Sequence, residues 1–262
     1  MGRMEYKYLV RCEELPRLRH VITPFVEMDS FAAAAPCREY TVRSIYFDTP
    51  GLASYYQKDA GIHTRRKLRV RGYGKLSNDS LVVLEIKRKY NMEVRKARAF
   101  LRFTALEELI ATGAVEQHVQ TGASSQRIQA EQDARAFLYH LHRYSMLPVV
   151  LVAYEREAFL GRFDPRVRLT FDKVLRGRVY PDLHMLFDEG VLRNAMSEHF
   201  ILELKFEAGM PTWAAAIIED FGLERQALSK FGICLENEGL GGAKSSRFAW
   251  AAYQPPRTPD AR

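Results

Sequence analysis

The sequence predicts a mainly β, α+β protein: an antiparallel sheet with covering helices. Three observations predict it. Segments rich in Val, Ile, Leu, Tyr and Phe recur along the chain, several with period-2 alternation. They succeed one another as sequence neighbours, which favours an antiparallel meander over βαβ units. The helical patterns are few and amphipathic, suited to covering a sheet.

Strands are expected at Glu5–Arg11, Tyr40–Asp48, His63–Tyr73, Leu81–Tyr90, Val94–Arg102, Val149–Leu160, Arg166–Asp172 and Glu198–Glu207. Gly74 and the run Ser77-Asn78-Asp79-Ser80 mark a hairpin loop. A helix over Leu15–Val26 has Pro16 in its first turn, where proline costs no hydrogen bond. Thr104–Thr112 reads as a short helix with Thr104 as N-cap and Glu107 three residues on. Glu131–Ser145 places Phe137, Leu138 and Leu141 at helical spacing, and Pro211–Phe221 again opens on proline. Residues 1–238 are expected to form one domain. Residues 239–262, rich in Gly and Ser and then Pro, are expected to form a flexible C-terminal tail.

Hydrophobic content of 47% supports a sizeable core, and a net charge of +7 with pI about 9.3 points to an anionic partner. Cys12, Cys37 and Cys234 are scattered and odd in number, which argues against a disulfide framework or a Cys-x-x-Cys zinc site and for reduced thiols. No run approaches 18 apolar residues, so no membrane span is expected, and a cytoplasmic location follows from the thiols and the absence of a signal-like apolar run. The histidines form no metal-ligand spacing with carboxylates and read as surface residues. Asp48 reads as a turn cap before Thr49-Pro50-Gly51. Gly239–Ser245 looks superficially like a P-loop but lacks Gly before Lys244 and reads as a linker.

Alternation sorts the charges onto faces. Arg65, Lys67, Arg69 and Arg71 share one face, opposite Leu68 and Val70; Glu85, Lys87 and Lys89 share another; Lys96 and Arg98 a third. Arg166, Arg168, Thr170 and Asp172 lie opposite Val167, Leu169 and Phe171, and Glu203, Lys205 and Glu207 opposite Leu202, Leu204 and Phe206. Glu-x-Lys recurs at Glu5/Lys7, Glu85/Lys87 and Glu203/Lys205. A half-wet antiparallel sheet also alternates apolar and charged residues, so alternation alone does not separate a solvated face from a cavity lining. Stacked arginines favour the lining, since their forks bind phosphate bidentately and like charges on one face repel unless something offsets them.

A set of motifs in order adds to this: Glu5-Tyr6-Lys7-Tyr8-Leu9-Val10, Val42-Arg43-Ser44-Ile45-Tyr46-Phe47-Asp48-Thr49, Lys67-Leu68-Arg69-Val70-Arg71-Gly72-Tyr73-Gly74, Leu84-Glu85-Ile86-Lys87, Tyr154-Glu155-Arg156-Glu157-Ala158-Phe159, Arg168-Leu169-Thr170-Phe171-Asp172, Leu202-Glu203-Leu204-Lys205 and Leu228-Ser229-Lys230-Phe231. Over roughly residues 3–237 the chain resembles the catalytic domain of the vacuolar transporter chaperone (VTC) polyphosphate polymerases, a branch of the triphosphate tunnel metalloenzymes. The resemblance implies a closed eight-stranded antiparallel tunnel barrel. It implies transfer of the ATP γ-phosphate to a growing polyphosphate chain, with a divalent metal, Mn or Mg. It implies a basic lining of Lys7, Arg69, Arg71, Lys87, Lys96, Arg156, Arg168 and Lys205, with Arg98, Arg43 and Tyr46 as further phosphate contacts. It also implies a Ser229-Lys230 pair near the tunnel end, and Glu203, with Glu85 and Glu5, as metal ligands. ATP and inorganic polyphosphate are the expected partners. Nucleic acid is not expected, a membrane-protein partner is compatible with the family, and oligomeric state is not readable. A triphosphatase or nucleotide cyclase on the same tunnel, a non-catalytic polyphosphate-binding module and a basic RNA-binding barrel are the other readings open to these residues.

Overall fold

The computed structural model describes residues 3–61, 65–90, 93–121 and 124–240. The strands are β1 (Met4–Arg11), β2 (Val26–Met28), β3 (Tyr40–Asp48), β4 (Arg65–Tyr73), β5 (Leu81–Tyr90), β6 (Glu93–Arg102), β7 (Val119–Gln120), β8 (Leu147–Gly161), β9 (Arg168–Val179), β10 (Arg193–Met196) and β11 (His199–Phe206). The helices are α1 (Leu15–Ile22), α2 (Ser30–Ala34), α3 (Ala53–Asp59), α4 (Leu106–Thr112), α5 (Val115–His118), α6 (Ser124–Arg143), α7 (Thr212–Asp220) and α8 (Lys230–Asn237). The expected strands are all present. His63 and residues 239–262 beyond Leu240 lie outside the described residues. Thr104 does not cap α4: it falls inside a short 3-10 turn, and Ala105 occupies the cap without a side-chain bond.

The expected closed eight-stranded barrel is corrected. Among the described residues the strands form one 11-stranded antiparallel sheet in the order β1-β11-β9-β8-β3-β4-β5-β6-β7, with β10 on β9 and β2 on β8, and no ladder joins its ends. Other chain segments occupy both edges where closure would occur. β7 pairs with β6 through Phe100–Gln120 and Leu101–Val119. The stretch after α7 lies along β1, with Gln226 N–H donating to Lys7 O at 2.8 Å and a bridge between Tyr8 and Arg225.

The sheet is nevertheless strongly rolled. Five strands lie between β1 and β5, so a flat sheet would hold them roughly 29 Å apart. Yet Glu5 Oε2 on β1 is 3.7 Å from Lys87 Nζ on β5. Rolling gives the sheet a concave face and a convex one. On the convex face, α1 and α7 cover one half, packing Leu18, Ile22 and Ala214 on Tyr8, Phe171 and Phe206. α4, α6 and the 3-10 turn Leu183–Phe187 cover the other, packing Leu106, Phe137 and Leu186 on Ile45, Leu68 and Leu84. Each such fully buried large side chain contributes about 1.5–3 kcal/mol.

α8 instead enters the concave face and fills one end of it with Phe231, Cys234 and Leu235, against Tyr46, Val152, Leu175 and Ile201. Gly177 permits this approach, because a Cβ there would lie 2.7 Å from Cys234 Cβ. A bulge in the β8–β9 ladder, with Val174 at φ 49°, brings Leu175 onto the same face as Asp172. It divides the concave face into a charged half and the apolar half that α8 fills. Among the described residues no helix is long and apolar enough to cross a membrane.

Candidate active site

Strand parity fixes which side chains reach the concave face. On β4, Leu68 and Val70 enter the convex core, so Lys67, Arg69 and Arg71 point the other way. β5 does the same with Leu84 and Ile86 outward and Glu85 and Lys87 inward, and β11 with Leu202, Leu204 and Phe206 outward and Glu203 and Lys205 inward. The charged half so assembled holds Lys7, Lys67, Arg69, Arg71, Lys87, Lys96, Arg98, Arg156, Arg168, Lys205 and Lys230, set against Glu5, Glu85, Asp172 and Glu203.

The few carboxylates are shared. Glu85 accepts from Arg69 Nε at 2.5 Å and Arg98 Nε at 2.8 Å, with Arg71 Nε at 4.0 Å. Asp172, fully buried, accepts the Arg156 fork at 2.6 and 2.7 Å and meets Lys230 Nζ at 2.5 Å. Glu203 pairs with Lys205 and has Lys7 at 3.8 Å and Lys230 at 4.0 Å. Lys7 also reaches Glu5 at 3.0 Å. Acids and ammoniums therefore alternate across the floor: Asp172, Lys230, Glu203, Lys7, Glu5, Lys87. Tyr46 accepts from Arg69 Nη1 at 3.0 Å, and Arg71 Nε donates to Ser44 Oγ.

The electrostatics follow from burial set against this surplus. Burial alone would raise Glu203, but Lys205, Lys7, Lys230 and Arg156 hold its carboxyl well below the usual range. Burial and then Glu203 push Glu5 up, yet Lys7, Lys205 and Lys87 bring it down to about 2. Burial likewise opposes, and Arg69, Arg71 and Arg98 override, so that Glu85 is held at about 2. Arg69, Arg71 and Lys230 lower the Tyr46 phenol against its burial. Lys96, although exposed by surface area, is lowered to about 8 by desolvation and then by Lys205, Lys87 and Arg98.

Most of the residues read from the sequence thus meet on one surface: Lys7, Tyr46, Arg69, Arg71, Lys87, Lys96, Arg98, Arg156, Lys205 and Lys230 with Glu5, Glu85 and Glu203. Arg168 sits at the open mouth, tied to Asp29 Oδ2 at 2.9 Å. Ser229 is the N-cap of α8: its hydroxyl accepts from Gly232 N and from Lys67 Nζ at 3.2 Å, leaving its own proton to donate. Arg43 is corrected. It points to the convex face, where it pairs with Glu189 and lies over the Phe187 ring, because its neighbours Ile45 and Phe47 share that face and belong to the outer core. His140 is also corrected from surface to buried: it contacts Arg88 Nη2 at 2.9 Å, and burial with Arg66 and Arg88 lowers it to about 4. Asp48 caps as expected, accepting from the backbone N–H of Thr49, Ser54 and Tyr55. Asp172, Lys67 and Tyr154 join the site without having been singled out; Asp172 and Lys67 already shared the right parity with residues that were. Tyr154 lies under the cations of Arg156 and Lys230, at 5.2 and 4.8 Å from its ring centroid.

The donor set suits a hard cation in one way only. Among the described residues no three His, Cys, Asp or Glu gather as a metal cage. Glu203 and Glu5 are neighbours that share Lys7, and a divalent ion held by one or two carboxylates completes its shell with phosphate oxygens. The clefts of about 350 and 370 Å³ elsewhere on the molecule lie on the apolar exterior, around Trp213 and around Leu141 and Leu183, and hold none of these charges.

No curated protein sequence matches the chain. A solved structure of a putative adenylyl cyclase from Hippeastrum, described as revealing a dominant triphosphatase activity, superposes with a TM-score of 0.45 at 12% identity, covering 89% of this chain and 96% of that one. The model of the VTC domain family matches residues 2–237. With the motif order of the sequence and nearly the whole chain matched, the protein belongs to the VTC domain family.

Proposed function

We propose that the protein is an ATP-dependent polyphosphate polymerase that transfers the ATP γ-phosphate to the end of a polyphosphate chain lying on the concave face. One observation carries this reading: the face holds more cations than carboxylates, and each carboxylate is already shared among several cations. A polyanion supplies the missing charge. Phosphoryl transfer asks for positioning and charge stabilisation more than for covalent chemistry. Arg69, Arg71 and Arg156, buried or nearly so and fixed by Glu85 and Asp172, present rigid forks to phosphate oxygens. Lys7, Lys87, Lys205 and Lys230 add point charges along the floor, and Arg98, Lys96 and Arg168 extend the basic surface outward. Glu203, with Glu5 beside it, would hold Mn or Mg, which when bound neutralises charge between phosphate oxygens. The acceptor phosphate is already anionic, so no general base is needed. The spread of the carboxylates into a line favours transfer over the metal-rich arrangement expected for a triphosphatase.

The test is incubation of purified protein with ATP and Mn²⁺, with and without a short polyphosphate primer, resolving products on a gel while counting free phosphate. Long chains and ADP are expected, absent in Glu203→Ala and Arg69→Ala. Free phosphate without chains would replace the polymerase with a triphosphatase, and polyphosphate binding without turnover would leave a binding module.

A further inference from the structure

The open mouth of the concave face, opposite the end filled by α8, carries aromatic rings that the phosphate chemistry does not use. Phe31 on α2 lies 6.4 Å from Tyr40 at the start of β3, and Tyr40 lies 6.3 Å from Tyr73 at the end of β4, centroid to centroid. Phe31 is 76% exposed and Tyr73 46%, although rings of this size are normally drawn into a core. The row runs directly into the cations. The Arg71 guanidinium is 6.0 Å from the Tyr73 centroid, and Arg168 Nη2 is 3.5 Å from Tyr40 Oη. Asp29 holds this arrangement: its carboxylate caps α2 through Ala32 N–H at 2.8 Å and accepts from Arg168 at 2.9 Å. The cap that presents Phe31 is thus the group that anchors the outermost phosphate-side arginine.

We propose that Phe31, Tyr40 and Tyr73 form a stacking shelf for the base of a nucleoside triphosphate whose phosphates enter the concave face. The proposal rests on the function proposed above and adds how the donor is held. A ligand that fits the mouth must combine a flat apolar ring with a chain of negative charge, and a nucleotide does so where polyphosphate alone does not. Ring stacking recognises a π-face and not base edges, so ATP and GTP are expected to bind alike.

The experiment is a calorimetric titration of the full chain with ATP, GTP and inorganic tripolyphosphate, in wild type, Phe31→Ala, Phe31→Trp and Tyr73→Ala. Loss of one stacked base predicts a weakening of ATP and GTP by about 5- to 150-fold in Phe31→Ala. Tripolyphosphate affinity is expected to stay within about twofold, and Phe31→Trp to retain nucleotide affinity. Equal weakening of nucleotide and tripolyphosphate would overturn the shelf, since the change would then act through the phosphate site. Unchanged nucleotide affinity would overturn it in favour of another occupant, such as a protein or a membrane surface. If wild type bound neither ATP nor tripolyphosphate, the phosphate site itself would fall, an outcome separate from loss of the shelf alone.

Discussion

The two faces of the rolled sheet are both rich in arginine and lysine, and they use them differently. In the convex-face cluster on β8 and β9, Arg19, Arg43, Lys173 and Arg176 meet Glu39, Glu155, Glu157 and Glu189, one carboxylate for each cation, while Arg66 and Arg88 farther along that face lie against Tyr144 and His140. On the concave face, Glu85 alone serves Arg69, Arg71 and Arg98, and Asp172 serves Arg156 and Lys230. Balanced pairs on the outside tie helix α1 and the loops to the sheet. The set inside leaves a surplus of positive charge on that face. Charge count per strand does not tell these two clusters apart; the ratio of acids to bases within each does.

The largest effect that would break this comparison is on turnover. Arg156→Ala is expected to lower the rate of phosphoryl transfer by about 10²–10³, the usual loss when one donor to a developing charge is removed. Arg176→Ala, on the convex face, is expected to leave transfer nearly intact and to lower stability by about 1–2 kcal/mol, because Glu155 and Glu189 lose a partner but keep Thr41 and Arg43. Steady-state kinetics and denaturant unfolding of both variants check the pair.

Removing an inner carboxylate sharpens the comparison. Glu85→Gln leaves the buried Arg71 and the largely buried Arg69 without their acid and is expected to cost about 3–5 kcal/mol. Inorganic tripolyphosphate should then stabilise this variant more than it stabilises wild type, as read by the shift in thermal midpoint. An equal or smaller shift would mean that the inner surplus is not an anion site. The pH dependence has a defined sign. Glu85 and Glu5 are held at about 2 against an ordinary 4.5, so their stabilisation is present above about pH 4.5 and is lost as pH falls toward 2. Glu85→Gln should flatten part of that acid limb in urea unfolding measured across this range.

A smaller effect concerns protons. Lys96 is lowered to about 8, so near pH 8 part of it is neutral, and a bound polyanion would restore its charge. Wild type should then take up more protons on binding tripolyphosphate at pH 8 than a variant lacking Lys96, seen as a dependence of the calorimetric enthalpy on buffer ionisation. Lys96→Met is the variant that removes this difference.

Much of this was legible in the sequence, and for a physical reason. Long strands rich in β-branched, aliphatic and aromatic residues, such as Tyr40–Asp48 and Leu81–Tyr90, are set by how many side chains must be buried, and they match β3 and β5 residue for residue. Short elements carry too little periodicity to be read. β2, β7 and β10 span two to four residues each, and α2 and α5 about one turn. α8 was hidden by the reading of Ser229-Lys230 as a site motif and by Gly232 within it, although Ser229 is a good N-cap. The failure of the barrel to close depends on β7 and the Arg225–Gln226 stretch reaching the sheet edges from far along the chain. Arg43 was misplaced because β3 alternates weakly: Ser44 and Tyr46 face inward, Ile45 and Phe47 outward, and an arginine suits either side until Glu189 and Phe187 arrive from a distant turn.

The central claim, that the unmatched cations of the concave face bind a phosphate polyanion, is tested most directly by titrating wild type, Arg69→Ala and Arg43→Ala in parallel with inorganic polyphosphate at fixed salt. Binding is expected in wild type and in Arg43→Ala, with a loss of about tenfold or more in Arg69→Ala. Equal affinity in all three, or a loss confined to Arg43→Ala, would contradict it.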